Sequence, residues 1–187
     1  MNLGARLAIA FLWLVHWLPA SWQSAIGSVV GALACRLAGG RRRVARRNLE
    51  LCLPELDKSA RERLVRDHFR WLGRSLVERG LLWYAPRERL MRLIDVQGDV
   101  KFAERSEAPV MWLVPHFMAL EAAATAVQLF QSRRGATIYQ RQSSAVFDAA
   151  MRAGRQRFGH SVLFSRQDSA KPLIRAIRQD KLGFFNL

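Results

Sequence analysis

Between residues 110 and 187 the chain alternates short apolar runs with longer stretches of helical character. That alternation restricts its fold more than any other feature. Residues 110–114 (Val-Met-Trp-Leu-Val) form an apolar run closed by Pro115, which suits a buried strand. An Ala-rich helix is expected over 120–129. A β-branched run follows at 136–141, a helix at 145–158, a strand at 161–164, a helix at 169–179 and a last strand at 183–187. A further strand is expected at 92–98. Strands that alternate with helices predict an α/β body, a largely parallel mixed sheet flanked by helices. Ligands of such sheets sit beyond the carboxyl ends of the strands, where His116 and Arg141 fall. The last apolar strand carries no cap or polar tail, so more sheet is expected downstream.

The first forty residues differ in character. Residues 7–17 are almost wholly apolar, interrupted by His16, with Pro19 just beyond. Residues 25–38 are apolar and rich in Gly and Ala. Each run is short against the ~20 residues of a membrane span. A membrane anchor, a signal peptide and a buried helical hairpin all fit such runs. Arg41, Arg42, Arg43, Arg46 and Arg47 follow at once, and such a cluster stays on the cytoplasmic side. A cleaved signal peptide carries its charge before the apolar core, so the asymmetry favours an anchor. Residues 1–40 are therefore expected to form an N-terminal hydrophobic membrane-anchoring helical segment, and 41–187 the functional domain.

The helix expected after residue 58 begins with Ser59-Ala60-Arg61-Glu62, a capping-box pattern. Its apolar stripe is Val65, Phe69, Leu72 and Leu76, with Arg66, Arg70, Arg74 and Arg79 off it. Gly80 suits the helix end. Composition matters here because the formal net charge is +15 and nearly all the basic residues are Arg. Such a balance calls for an anionic partner: nucleic acid, an anionic membrane, a phosphorylated substrate or an acidic protein. Arginine gives the bidentate contacts that phosphates and carboxylates accept. Cys35 and Cys52 show no metal-ligand spacing and read as free thiols.

His116 and Glu121 carry the chemistry. A strand end, a tight turn and a helix start can bring an imidazole and a carboxylate within hydrogen-bond reach. The carboxylate then sets the tautomer and supports positive charge on the ring, a general-base unit for activating a hydroxyl. Spacing alone leaves a purely structural role open for both residues.

Val114-Pro115-His116-Phe117-Met118-Ala119-Leu120-Glu121 resembles the H-x4-D/E acyltransferase motif. More narrowly, it resembles that of the bacterial lipid A biosynthesis acyltransferases, the late lauroyl and myristoyl transferases. An apolar N-terminal segment, the basic stretch from Arg42 to Leu49 and the helix of Glu62 to Gly73 agree with that family. So do the Tyr139-Gln140-Arg141 element and the Arg-rich helix with Gly154-Arg155-Gln156-Arg157. The resemblance extends from about Leu7 to Leu187.

The resemblance implies a glycerolipid-acyltransferase-like fold on the cytoplasmic face of the bacterial inner membrane. It implies transfer of a fatty acyl chain from acyl carrier protein to a hydroxyl of a lipid A precursor. His116 would remove the hydroxyl proton and Glu121 would orient His116. Tyr139, Arg141, Arg155 and Arg157 would contact substrate, and Arg141, Arg152 or Arg157 would face the oxyanion. The scheme requires no metal, no cofactor and no covalent enzyme intermediate. It makes acyl carrier protein, an anionic lipid and the inner membrane the partners, and not nucleic acid. Two alternatives stand beside it: acyl transfer to another membrane glycolipid or glycerophospholipid, and a non-catalytic basic protein that binds membranes.

Overall fold

The computed structural model describes residues 3–159, 161–179 and 182–186. In order, the elements are α1 (Leu3–Val15), α2 (Ala20–Leu37), α3 (Gly39–Cys52), α4 (Lys58–Tyr84), α5 (Arg87–Leu93), α6 (Phe102–Arg105) and β1 (Met111–Trp112). Then come α7 (Leu120–Phe130), β2 (Gly135–Tyr139), α8 (Ala145–Gln156), β3 (Ser161–Ser165), α9 (Lys171–Gln179) and β4 (Gly183–Asn186). The chain divides into two compact units, one made of Met1–Leu14 and Gly80–Leu187, the other of Val15–Arg79.

The expected fold class does not hold. Helix accounts for most of the described residues. The sheet that was to frame an α/β body is small, its strands two to five residues long against 27 for α4. Its order is β1-β4-β2-β3 and every pairing is parallel, so it is not mixed. The strand expected at 92–98 is absent because α5 occupies residues up to Leu93 and no ladder follows. The run at 110–114 pairs only through Met111 and Trp112, opposite Phe184 and Phe185. Leu187, the end of the expected last strand, lies outside the described residues.

The expected membrane-anchoring segment does not form a membrane-spanning helix. No helix among the described residues is long and apolar enough to cross a membrane. Pro19 breaks the apolar stretch into helices of 13 and 18 residues. The second has a different use for its small residues. Gln23, Gly27, Gly31 and Cys35 recur every fourth position and are the buried stripe of α2. A Cβ on Gly31 would lie 2.1 Å from the carbonyl oxygen of Phe69, and one on Gly27 2.5 Å from the Cα of Arg74. The α2 and α4 backbones are therefore in direct contact.

This contact explains how α4 departs from its expected pattern. Up to Val77 the buried positions are Val65, Phe69, Gly73 and Val77, four apart, whereas Leu76 is exposed. Gly73 recruits that face because it is where α2 arrives. The cap differs too. Asp57, not Ser59, accepts the Ala60 N–H through its carboxylate at 2.7 Å, while Glu62 is taken by Arg46. Gly80 does not end the helix, which runs to Tyr84 before Ala85 and Pro86. Cys35 and Cys52 are free thiols, the first buried.

In the first unit the side chains of β2 and β3 alternate as a pleat requires. Ala136, Ile138, Val162 and Phe164 pack with Leu173, Ala176 and Ile177 of α9. Tyr139 and Leu163 pack on the other side with Leu129 of α7, Met151 of α8 and Leu81, Leu82 and Leu90. The central strand β2 is buried at Gly135, Ala136, Thr137 and Tyr139, as expected of a parallel strand covered on both faces.

Candidate active site

The site develops around the connection from β1 to α7. The Phe117 N–H donates to the Pro115 carbonyl at 2.8 Å, so the backbone makes a tight turn centred on His116. The Leu120 N–H then donates to the Phe117 carbonyl at 3.1 Å, and α7 begins. His116 is exposed on this turn. Met111, Leu113 and Phe117 around it are exposed by 74%, 93% and 74%. Burial of such apolar side chains by a ligand would be favourable, so this loop suits a partner with hydrocarbon surface.

Glu121 is in the first turn of α7 and is buried. Its two carboxylate oxygens accept from one guanidinium. Arg155 Nε donates to Oε2 at 3.1 Å and an Arg155 terminal nitrogen donates to Oε1. The side chains of Arg155 and Glu121 are only 13% and 9% exposed. Both partners also suit their helices. A carboxylate in a first turn and a guanidinium in the last turn of α8 each oppose the local end of the helix dipole. The pair therefore ties the start of the helix behind His116 to the end of α8. Among the described residues no hydrogen bond joins Glu121 to His116.

Gly154 makes this arrangement possible. A Cβ there would lie 2.4 Å from the Trp83 ring, so only glycine lets α8 seat against that indole. Trp83 in turn meets Phe147 edge-on at 5.8 Å. Arg157, expected to bind substrate, donates to the carbonyls of Leu82 at 3.1 Å and Ala85 at 2.6 Å and lies 4.7 Å from the Phe158 ring. It thus satisfies carbonyls left over at the end of α4. Burial lowers its pKa from the ordinary guanidinium value.

The remaining expected residues lie where β2 ends. Tyr139 is buried, with the Arg152 guanidinium 5.9 Å from its ring centre. Arg141 is exposed and donates to both oxygens of Asp168, at 3.0 and 3.1 Å. The structure thus brings Glu121 and Arg155 together, and Tyr139 with Arg152. It gives Arg141 and Arg157 partners that sequence reasoning did not name. Asp168 carried no signal in its neighbours. Gly154 did, since a glycine inside a helical pattern often marks a close approach. No group of three or more His, Cys, Asp or Glu among the described residues could hold a metal ion.

A short parallel sheet, an exposed imidazole on the turn after its edge strand and a buried carboxylate five residues on define a protein with the H-x4-E arrangement. The profile of the bacterial lipid A biosynthesis acyltransferases matches residues 2–186, and the chain belongs to that family. It is similar to the lipid A biosynthesis lauroyltransferase of Escherichia coli K12, 30% identical over 181 residues, which are 96% of this chain and 58% of that protein. It is 30% identical to the myristoyltransferase of the same organism over 97% of this chain and 56% of the other. It is 28% identical to the palmitoleoyltransferase, over 95% and 57%. The chain spans a little over half the length of these relatives. No solved structure matches it significantly.

Proposed function

We propose that this chain supplies the base-bearing part of an acyltransferase of late lipid A assembly. It would move a fatty acyl group from acyl carrier protein to a hydroxyl of a lipid A precursor. The observation that carries the reading is the exposed His116 on its tight turn among exposed apolar side chains, inside a family match that spans the chain. In the proposed mechanism His116 takes the proton of the acceptor hydroxyl. The alkoxide attacks the thioester carbonyl, the C–S bond breaks, and the proton on His116 passes to the departing thiolate. The acyl oxygen becomes anionic at the tetrahedral stage, and guanidinium groups such as Arg141 are suited to face it.

Glu121 acts in this scheme through placement. Held by Arg155, it anchors the first turn of α7 and so the loop carrying His116. Acyl carrier protein is acidic and lipid A precursors are phosphorylated, so a chain of net charge +15 suits both. Both partners meet at the cytoplasmic face of the inner membrane, where we place the reaction. The protein is expected there without a span of its own among the described helices.

The test is a lipid A mass spectrum. The gene is expressed in a host lacking its own late acyltransferases, beside His116→Ala at matched protein level. The wild type should add one acyl mass and the variant none. Addition by both removes His116 as the base. Addition by neither, with a new acyl mass on another glycolipid, moves the activity to that acceptor.

A further inference from the structure

The second unit holds a cleft that the acyl-transfer reading does not use. Its cavity, about 250 Å³, is lined by Ala32, Cys35, Arg36, Arg42, Arg46, Glu62, Arg66 and Arg70, drawn from α2, α3 and α4. Five arginines therefore line a cavity to which Glu62 alone brings a carboxylate. Helical spacing places them there: Arg42 and Arg46 are four apart on α3, and Glu62, Arg66 and Arg70 are four apart on α4.

The one carboxylate is already engaged. Arg46 Nε donates to Glu62 Oε1 at 2.5 Å and its terminal nitrogen to Oε2 at 2.9 Å. Arg70 is beside the exposed Asp67, at 3.2 Å. Arg36, Arg42 and Arg66 have no carboxylate partner among the described residues. Arg42 donates one terminal N–H to the Cys35 carbonyl at 3.1 Å, which fixes its side chain in the cleft. Its Nε is buried with no hydrogen-bond partner. Like charges gathered in one cleft repel, and an anion with several acceptor oxygens offsets that repulsion. The Glu62 carboxyl is held below its usual range by its bond to Arg46 and then by the charges of Arg66 and Arg42, so those charges reach the cleft.

We propose that this cleft is a binding site for a phosphoryl group, with Arg36, Arg42 and Arg66 as its donors and Arg46 held in reserve by Glu62. A tetrahedral dianion matches forked donors arriving from three helices, and planar guanidiniums are better suited to it than ammonium groups. The site lies wholly within the unit of Val15–Arg79 and owes nothing to His116. It stands whether or not the acyl-transfer reading does.

The test uses the whole chain and two charge-matched double variants. Arg36→Ala with Arg66→Ala removes two exposed donors of the cleft. Arg47→Ala with Arg105→Ala removes two exposed arginines paired elsewhere, with Glu50 and Asp99. Binding of inorganic phosphate is measured by calorimetry. Retention on phosphatidylcholine vesicles with and without phosphatidic acid is measured by flotation. The cleft variant should weaken phosphate binding roughly tenfold or more, and the control by less than about twofold. Arg66→Glu alone should abolish it, with an unchanged circular dichroism spectrum. The same pattern on phosphatidic acid vesicles assigns the phosphoryl group to a lipid headgroup. The pattern with free phosphate alone assigns it to a soluble phosphate ester. Equal loss in both doubles, or wild-type binding by the cleft double, overturns the proposal.

Discussion

Glu121 and Arg155 decide most at the residue scale. A buried pair that loses one member leaves an uncompensated charge, and the penalty is large. Arg155→Ala is expected to destabilise the first unit by about 3 kcal/mol in urea unfolding. Arg155→Met with Glu121→Leu should recover most of that stability while losing the anchor of α7. If the double is as unstable as the single, the pair's geometry rather than its charge carries the stability. Glu78 is the opposite case. Burial alone raises its carboxyl above the usual range, so the folded state disfavours its charged form. Glu78→Gln should therefore stabilise the protein by about 1 kcal/mol at pH 7. The gain should vanish below the carboxylate range, where Glu78 is protonated in both states. Thermal melts of both proteins at pH 7 and pH 4 measure this.

At the scale of elements, close backbone approach matters more than propensity. Gly31 in α2 would gain a little helix propensity as alanine, yet its Cβ would strike the Phe69 carbonyl. Backbone cannot rotate away as a side chain can, so Gly31→Ala should cost about 2 kcal/mol or more in equilibrium unfolding. A neutral or stabilising result would mean that α2 and α4 separate easily. The start of α4 gives a sharper contrast. Asp57→Ala removes the cap on the Ala60 N–H and should cost about 1 kcal/mol, whereas Ser59→Ala should be nearly silent. The capping-box pattern was legible at Ser59 and Glu62, but two outside interactions displaced it. Asp57 reached the amide first in sequence, and Arg46 claimed the Glu62 carboxylate from another helix.

At the scale of the whole molecule the response to acid adds over several groups. Asp57 is held below the ordinary carboxylate range chiefly by the Ala60 amide, Glu62 by Arg46 and Glu104 by the Ser132 amide. A depressed folded value means stability that is present above the unfolded pKa of about 4. It is lost as pH falls through the folded values. These three outnumber Glu78, whose sign is reversed. Melting temperature should therefore decline as pH is lowered below about 5, and a flat profile to pH 3 would mean that the three contacts contribute nothing. Net charge acts at this scale too. With +15 on the chain, capture of the acidic acyl carrier protein that we propose as donor should weaken as salt shortens the screening length below about 8 Å.

By itself the sequence determined what is local. It placed most short elements after residue 110 to within a few residues. It ordered His116, Glu121, Tyr139, Arg141 and the Arg-rich helix well enough to identify the family. Periodicity and turn chemistry act over a few residues, so they survive in one dimension. Tertiary structure decided what depends on neighbours far along the chain. It gave Glu121 to Arg155, 34 residues away, rather than to His116 beside it. It set the small residues of an apolar Gly-rich run against the backbone of α4. It made the body mainly helical around a small sheet, and it gathered arginines of three helices into one cleft. Apolarity and charge specify only that a group needs a partner. Which partner it receives is set by how closely the backbones that carry them can approach.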